Sequence, residues 1–321
     1  MGFVSEKLLA WLKLVRAKNL VIIAFTELFV RFYLIKPFFF NYKFAIDHSL
    51  LDSEFLLFVL ATLCIAAAGY IINDYFDIDI DRVNKPDQVL VGRFFGRREA
   101  FRLHIAFNIA GVLLGFLSAW LAGNIKLGFT FAVVAGLLWF YAKSFKKIFL
   151  FGNIIVGLVT ALTILLTLFF ETRLIGVADE LILKAAYDEM LIPSVFAYAL
   201  FAFITTLIRE IIKDIEDMEG DRQFDCKTVP VVFGVNAAKW MIAFLSVLLI
   251  ALLALAQRYF FAEEQFLKIS YILVALQLPV AAMIFSLVPA ASKEDFAKLS
   301  EWMKVIMLFG ILSMAVFHYV Q

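Results

Sequence analysis

The sequence of 321 residues contains few residues of the types that bind transition metals or form disulfides. It has two cysteines, Cys64 in an apolar run and Cys226 in a connector, and three histidines that lie far apart. Two cysteines placed in this way form neither a disulfide framework nor a zinc-binding pattern. The composition therefore disfavours zinc, haem and other transition-metal chemistry.

An excess of charge of one sign is also missing. Lysine and arginine number 29 and aspartate and glutamate 28, which gives a formal net charge of +1. Nucleic-acid-binding domains present a strongly basic face, so we expect no nucleic-acid partner. The charges that are present fall in short connectors between long apolar runs.

Hydrophobic residues, in contrast, make up 64% of the sequence, and the mean hydropathy is +0.92. A soluble domain uses apolar residues for only about half of its sequence. Because roughly 20 apolar residues cross a bilayer as a helix, the sequence predicts an all-α membrane protein with nine transmembrane helices. The predicted spans lie near residues 20–40, 54–73, 103–122, 126–142, 149–170, 193–213, 239–261, 268–289 and 301–320.

Basic residues set the predicted orientation in the membrane. The connectors 74–102, 143–148 and 214–238 carry lysine and arginine, so the positive-inside rule places them on the cytoplasmic side. Residues 1–19 interleave basic and apolar residues and predict an interfacial helix, with a targeting segment as the alternative. We expect one multi-pass domain over residues 1–321 in a bacterial or archaeal cell membrane, with surrounding lipid as a partner.

Two acidic clusters with the same spacing lie where apolar segments end. The first, in NDYFDIDID, ends the second span, and the second, in DIEDMEGD, ends the sixth, 140 residues later (214 minus 74). Positions i, i+3 and i+7 share one face of a helix, so each cluster directs three carboxylates to one side, whereas Asp79 points elsewhere. Chance similarity of two acidic connectors is the alternative. The members are Asp74, Asp77 and Asp81, and Asp214, Asp217 and Asp221.

Crowded carboxylates repel one another, and divalent cations between them relieve the repulsion. Oxygen ligands without histidine or cysteine select Mg²⁺ or Ca²⁺, and Mg²⁺ completes its coordination with water and phosphate oxygens. Two such clusters facing each other would hold a diphosphate through bridging Mg²⁺. The sequence therefore predicts a membrane enzyme in which metal-bound diphosphate leaves a lipidic substrate.

Basic and aromatic residues near the clusters are candidates for substrate contacts. Arginine and lysine bind phosphate oxygens, although anionic lipid headgroups are an alternative partner for each of them. Arg209 is the strongest candidate because it lies inside the apolar run FAFITTLIREIIK, where an unpaired charge is costly. Phe76, Phe140 and Tyr141 are candidates for lining an isoprenoid tunnel. The basic candidates are Arg82, Lys85, Lys143, Lys146, Lys147, Arg209, Lys213 and Arg222.

These residues resemble the motifs of the UbiA family of intramembrane prenyltransferases. The first aspartate-rich motif of that family is similar to Asn73-Asp74-x-x-Asp77-x-x-x-Asp81, and the second to DIEDMEGDR followed by Lys227-Thr228-x-Pro230. Arg16-x-x-Asn19 resembles the amino-terminal signature, and Tyr141, Lys146-Lys147 and Gly152-Asn153 resemble the tyrosine and lysine connector. One departure is Gln88, which stands where the family often has arginine; Arg93 is a candidate substitute.

The resemblance implies nine helices around a central cavity, two Mg²⁺ ions and a set of site residues. The implied metal ligands are Asn73, Asp74, Asp77, Asp81, Asp214, Asp217 and Asp221. We predict as catalytic residues Asp77, Asp81, Asp217 and Lys146. The predicted substrate-binding residues are Asn19, Asn73, Arg82, Lys85, Tyr141, Lys147, Arg209 and Arg222.

The predicted reaction is Mg²⁺-dependent transfer of an isoprenoid group from a polyprenyl diphosphate to a lipophilic acceptor, near the cytoplasmic face. The stretch REIIKDIEDMEGD is most similar to the family branch that prenylates a glycerol phosphate ether lipid, which implies geranylgeranylglyceryl phosphate as acceptor. The first alternative is an aromatic quinone precursor such as dihydroxynaphthoate, 4-hydroxybenzoate or homogentisate. A secondary transporter and a non-catalytic scaffold are alternatives of other classes, and acids at helix ends argue against transport.

Overall fold

The computed structural model describes residues 2–41, 52–171, 184, 186–188 and 190–319, and it is built of helices within these ranges. One isolated bridge joins Val91 to Phe95. π-Helical stretches lie at Val30–Ile35 and Ile272–Gln277. The α-helices are α1 (Gly2–Leu14), α2 (Ala17–Phe29), α3 (Lys36–Asn41), α4 (Asp52–Phe76), α5 (Ile78–Asn84), α6 (Arg97–Leu121), α7 (Gly128–Lys143), α8 (Phe151–Glu171), α9 (Leu191–Glu216), α10 (Met218–Gln223), α11 (Val229–Ala262), α12 (Phe266–Tyr271), α13 (Leu278–Leu287) and α14 (Lys293–Tyr319).

Eight helical segments in the described part of the chain are long and apolar enough to cross a membrane. They correspond to the second to ninth predicted spans and confirm the all-α membrane class. The segment predicted as the first span is helical over residues 17–41, including its π-helical stretch. The eight segments are Asp52–Phe76, Arg97–Leu121, Ile125–Lys143, Phe151–Phe170, Leu191–Glu216, Val229–Ala262, Phe266–Leu287 and Lys293–Tyr319.

The seventh predicted span differs from its helix at one end. α11 begins ten residues before the predicted start near 239, at Val229. Gly234 within it has φ 84° and ψ 164°, a conformation that breaks a helix and that glycine tolerates because it has no Cβ. The regular part of the helix therefore begins after Gly234, close to the predicted start.

The chain divides into two compact units. The first consists of Met1–Lys146 and Thr163–Pro193, and the second of Lys147–Leu162 and Ser194–Gln321. The prediction of a single domain over residues 1–321 stays a prediction.

Close helix packing in the first unit depends on small residues and aromatic rings. A Cβ atom added at Gly111 of α6 would lie 2.7 Å from Ile65 Cδ1 of α4, so the glycine permits close approach of these helices. Membrane helices associate in this way because lipid supplies no hydrophobic driving force. The rings of Phe58 and Phe170 lie 4.8 Å apart and bury further surface in the same unit. This packing fixes α4, in whose last turn the first acidic motif begins.

The core of the second unit surrounds α9. Ile208, Ile211 and Ile212 on one side of this helix are fully buried. They belong to a cluster with Ile242 of α11 and Met303 of α14. Burial of this face holds the end of α9, where the second acidic motif begins.

α1 has a buried and an exposed apolar face. Ala10 and Leu14 are buried in a cluster with Phe95, while Leu8 and Leu9 are exposed. Exposed leucines beside lysines suit a helix at the membrane surface. The prediction that residues 1–19 are interfacial stays a prediction.

Candidate active site

The two acidic motifs lie at the same kind of helix break. Asp77 separates α4 from α5 with φ −92° and ψ 1°. Asp217 separates α9 from α10 with φ −100° and ψ 7°. Both conformations lie in the sparsely populated bridge region, where many active-site residues are found. The breaks are 140 residues apart (217 minus 77), so the sequence repeat is also a repeat of local structure.

Hydrogen bonding of the helical type continues through both breaks. The Asp77 N–H donates to the Asn73 carbonyl at 2.9 Å, and the Asp81 N–H donates to the Asp77 carbonyl at 2.7 Å. In the second motif, the Asp221 N–H donates to the Asp217 carbonyl at 3.1 Å. The i to i−4 bonding keeps the helical spacing on which the predicted common face of each motif depends.

Two carboxylates of the first motif have cationic partners. Asp74 Oδ1 accepts a hydrogen bond from Arg16 Nη2 at 3.0 Å. Asp77 Oδ1 pairs with Lys146 Nζ, and the two side chains are only 13% and 12% exposed. Asp77 Oδ2 also accepts a hydrogen bond from Asn73 Nδ2 at 2.8 Å. Arg16 and Lys146 thus neutralise carboxylates that repel one another.

The third carboxyl group of the motif, that of Asp81, is affected both by burial and by the neighbouring negative charges. Burial, followed by the negative charges of Asp77 and Asp74, raises the pKa of the Asp81 carboxyl to about 7. Lys85 opposes this shift more weakly. The motif as folded is therefore short of positive charge, as expected of a site that takes up a cation.

One buried oxygen atom in the first motif lacks a hydrogen-bond partner among the described residues, which bears on whether these residues fit Mg²⁺. Asn73 Oδ1 is buried and has no hydrogen-bond partner in the described part of the chain. A buried polar atom without a partner is costly, and an amide oxygen is a hard ligand of the kind that Mg²⁺ accepts. The carboxylate and amide oxygens of this motif fit a magnesium ion.

No group of three or more histidine, cysteine, aspartate or glutamate side chains within the described ranges is arranged to hold an ion. This is compatible with Mg²⁺, which takes one or two protein carboxylates and completes its shell with water and phosphate oxygens. A site of this type would become complete only when the diphosphate binds.

Hydrogen bonds from neighbouring segments hold the second motif. Asp214 Oδ2 accepts from Nδ2 of Asn153, a buried residue of α8, at 2.7 Å. Asp221 Oδ2 accepts from Thr228 Oγ1 at 3.3 Å, and the Asp221 carbonyl accepts from the Cys226 N–H at 2.9 Å. The connector that follows the motif is thereby tied to its last aspartate.

Arg209 lies next to its own counter-ion. Arg209 Nη1 donates to Glu210 Oε1 at 2.8 Å, and Lys213 Nζ is 3.5 Å from Glu210 Oε2. The charge of Arg209 within an apolar run is therefore compensated by the adjacent acid. Glu210 was not among the predicted site residues.

The predicted basic residues differ in their surroundings. Arg82 is exposed and pairs at 3.0 Å with Asp79, which is itself exposed. Lys85 is partly buried, and its backbone N–H donates to the Asp81 carbonyl at 2.7 Å. Arg222 is exposed, with Nη2 3.9 Å from Met218 Sδ.

Three further predicted positions are partly buried, namely Asn19, Tyr141 and Lys147. The Asn19 N–H donates to the Arg16 carbonyl at 2.8 Å. The Lys147 carbonyl accepts from the Lys227 N–H at 2.9 Å, so its backbone supports the second motif. At the departure from the family pattern, Gln88 and Arg93 are both exposed.

Arg16, Asn153 and Thr228 contact motif aspartates but were absent from the predicted site. All three lie in the sequence signatures that resemble the family. That resemblance is the sequence feature that could have identified them as site residues. Arg16 also has a left-handed backbone, with φ 51° and ψ 54°, and its guanidinium lies 4.9 Å from the centre of the Tyr70 ring. Neither feature is visible in residue spacing.

Comparison with known proteins identifies the family to which the chain is similar. The model of the UbiA prenyltransferase family matches residues 36–312. A digeranylgeranylglyceryl phosphate synthase from Saccharolobus solfataricus is 33% identical over 258 residues, which cover 80% of this chain and 82% of that protein.

Solved structures show the same fold. One, described as giving structural and mechanistic insights into the biosynthesis of digeranylgeranylglyceryl phosphate synthase in membranes, has a TM-score of 0.62 and 27% identity over 98% of this chain and 99% of that one. A UbiA homologue from Archaeoglobus fulgidus bound to DMAPP and Mg²⁺ has a TM-score of 0.54 and 18% identity, over 95% and 99% of the two chains. Because the family model matches most of its length, the chain belongs to the UbiA prenyltransferase family.

Proposed function

We propose that the protein transfers a prenyl group, in a Mg²⁺-dependent reaction, from a polyprenyl diphosphate to the free hydroxyl of geranylgeranylglyceryl phosphate. The observation that carries the diphosphate chemistry is the pair of matching breaks at Asp77 and Asp217, each inside an acidic motif. Two copies of one local structure, both rich in oxygen ligands, suit two Mg²⁺ ions.

In this proposal the motif residues bind the metal and basic residues bind the diphosphate. When bound, Mg²⁺ neutralises the negative charge that develops on the leaving diphosphate. Lys146 forms an ion pair with Asp77 in the structure. In this proposal its ammonium group donates a hydrogen bond to a diphosphate oxygen once the substrate is bound. The residues that would hold Mg²⁺ are drawn from Asn73, Asp74, Asp77, Asp81, Asp214, Asp217 and Asp221.

The acceptor is proposed on two grounds. The first is the sequence REIIKDIEDMEGD, which resembles the branch acting on glycerol phosphate ether lipids. The second is the name of the Saccharolobus solfataricus relative, digeranylgeranylglyceryl phosphate synthase. The Archaeoglobus fulgidus homologue, described with DMAPP and Mg²⁺, is in keeping with the proposed donor class and ion.

The protein is an integral membrane protein with several spans. We propose further that both motifs lie near the cytoplasmic face of a bacterial or archaeal membrane, because their connectors carry basic residues.

An acceptor panel tests the proposed reaction. Purified protein in lipid nanodiscs receives isotope-labelled geranylgeranyl diphosphate and one acceptor at a time: geranylgeranylglyceryl phosphate, dihydroxynaphthoate, 4-hydroxybenzoate or homogentisate. We expect mass spectrometry to detect a labelled product with the glycerol phosphate lipid, and none after chelation of Mg²⁺. Product with an aromatic acceptor alone would replace the proposed acceptor, and no product with any acceptor would contradict prenyl transfer.

A further inference from the structure

Glu210 is a buried acid within a membrane-spanning helix. It is 9% exposed and lies on α9, between the cationic groups of Arg209 and Lys213. Ionisable residues inside membrane helices are costly and are retained at functional sites. The metal-binding motif begins four residues later, at Asp214, so Glu210 and Asp214 share one face of α9.

The repeat between the two motifs stops short of Glu210. The offset of 140 residues that relates the aspartates pairs Glu210 with Tyr70 (210 minus 140), so the second motif has an acid where the first has an aromatic residue. Three aspartates in each motif already supply the repeated ligands. Glu210 lies outside the spacing that the two motifs share, and this buried acid has no acidic counterpart at Tyr70, which points to a task other than holding the diphosphate.

The position of Glu210 along α9 indicates which part of the substrate this residue would lie near. In the proposed function the donor diphosphate binds at the motif, and the prenyl chain extends away from it into apolar surroundings. Glu210 lies four residues from Asp214 toward the interior of the span, roughly 6 Å along the helix axis at 1.5 Å per residue. Glu210 therefore lies on the side of the motif toward which the prenyl chain, beginning with its first carbon C1, extends in this proposal.

We propose that Glu210 is the catalytic residue that accepts the proton of the acceptor hydroxyl. The C1–O bond of the donor breaks, and its electron pair leaves with the diphosphate. A lone pair of the acceptor oxygen forms the new C–O bond to C1, and the hydroxyl proton passes to the Glu210 carboxylate. This role rests on the proposed function, since it requires an acceptor that attacks through a hydroxyl.

The neighbouring cations make the carboxylate available for this step. A base must be ionised before it can accept a proton, and an isolated carboxylate in a membrane helix would be held neutral. Arg209 Nη1 at 2.8 Å and Lys213 Nζ at 3.5 Å supply positive charges that pair with the Glu210 carboxylate. The alternative role for Glu210 is only to neutralise these two cations, and it predicts a different result for the variant below.

The test is the variant Glu210→Gln, whose amide oxygen can still accept the hydrogen bond from Arg209. Two reactions are measured: transfer to geranylgeranylglyceryl phosphate, and positional isotope exchange in donor labelled with ¹⁸O between C1 and phosphorus. The exchange reports breaking and re-forming of the C1–O bond without transfer. Glu219→Gln, an exposed glutamate of the same motif, is the matched control, and Glu210→Asp tests rescue.

We expect Glu210→Gln to lower kcat for transfer about 10²- to 10⁴-fold, the usual contribution of a general base, while isotope exchange persists. Glu210→Asp should recover part of the loss, and Glu219→Gln should behave as the wild type. The assignment would be overturned if Glu210→Gln transferred the prenyl group at the wild-type rate. It would also be overturned if this variant lost isotope exchange together with transfer. A wrong acceptor, in contrast, appears as exchange without transfer in the wild type.

Discussion

Replacing Asp77 by asparagine is expected to lower kcat/KM for prenyl transfer by at least about 10²- to 10³-fold, the loss typical when one stabilising group is removed from a developing anion. Asp77 occupies the helix break, accepts a hydrogen bond from Asn73 and pairs with Lys146. The amide keeps the size of the side chain but removes a charged Mg²⁺ ligand. The rate is measured with labelled donor over a range of Mg²⁺ concentrations.

Asp79→Asn is the matched control for this variant. Asp79 lies in the same stretch but is exposed, off the motif face, and pairs with Arg82. It should keep a rate close to that of the wild type, as substitutions of exposed residues generally do. Equal rates for Asp77→Asn and Asp79→Asn, in proteins with unchanged helix content by circular dichroism, would exclude Asp77 from the metal site.

Lys146→Met should lower kcat/KM by about 10²- to 10³-fold, because it removes a cation positioned for the leaving diphosphate. Removing Lys146 also leaves the negative charge of Asp77, which is mostly shielded from water, without this counter-ion, and that destabilises the fold. The metal-free variant should therefore unfold at lower temperature, and Mg²⁺ with diphosphate should recover part of that loss. Steady-state kinetics and thermal unfolding in detergent measure the two effects.

The control for Lys146→Met is Lys304→Met. Lys304 also pairs with a carboxylate, Glu301, on a membrane helix, but that pair is more exposed and has no predicted role. Pairs of this kind contribute about 0–1 kcal/mol, so transfer and unfolding temperature should change little. If Lys146→Met transfers as fast as Lys304→Met, Lys146 does not contact the diphosphate.

Sequence periodicity was sufficient to predict the helices, and it also predicts a common face for the aspartates of each motif. Apolar runs predict membrane helices because each run satisfies its own backbone hydrogen bonds. Residues at positions i, i+3 and i+7 share one face of a helix. Hydrogen bonding of the helical type continues through Asp77 and Asp217, and this keeps the helical spacing across both breaks. These features are local, and local spacing encodes them.

Contacts between segments that are distant in the sequence could not be predicted from residue spacing. Arg16 binds Asp74 across 58 residues, and Asn153 binds Asp214 across 61 residues. Such pairs depend on which helices pack together, and that depends on close approach at residues such as Gly111. Resemblance to family signatures marked Arg16 and Asn153 as notable without indicating which aspartate each one contacts.

The protein is expected to break the C1–O bond of a prenyl diphosphate and to transfer the prenyl chain to the acceptor. The most direct measurement follows released diphosphate and prenylated lipid together, with purified protein in sealed vesicles containing geranylgeranylglyceryl phosphate. We predict one diphosphate released for each prenylated lipid formed, and neither without Mg²⁺. Movement of intact geranylgeranyl diphosphate into the vesicles, with no diphosphate released, would contradict the claim and favour a transporter.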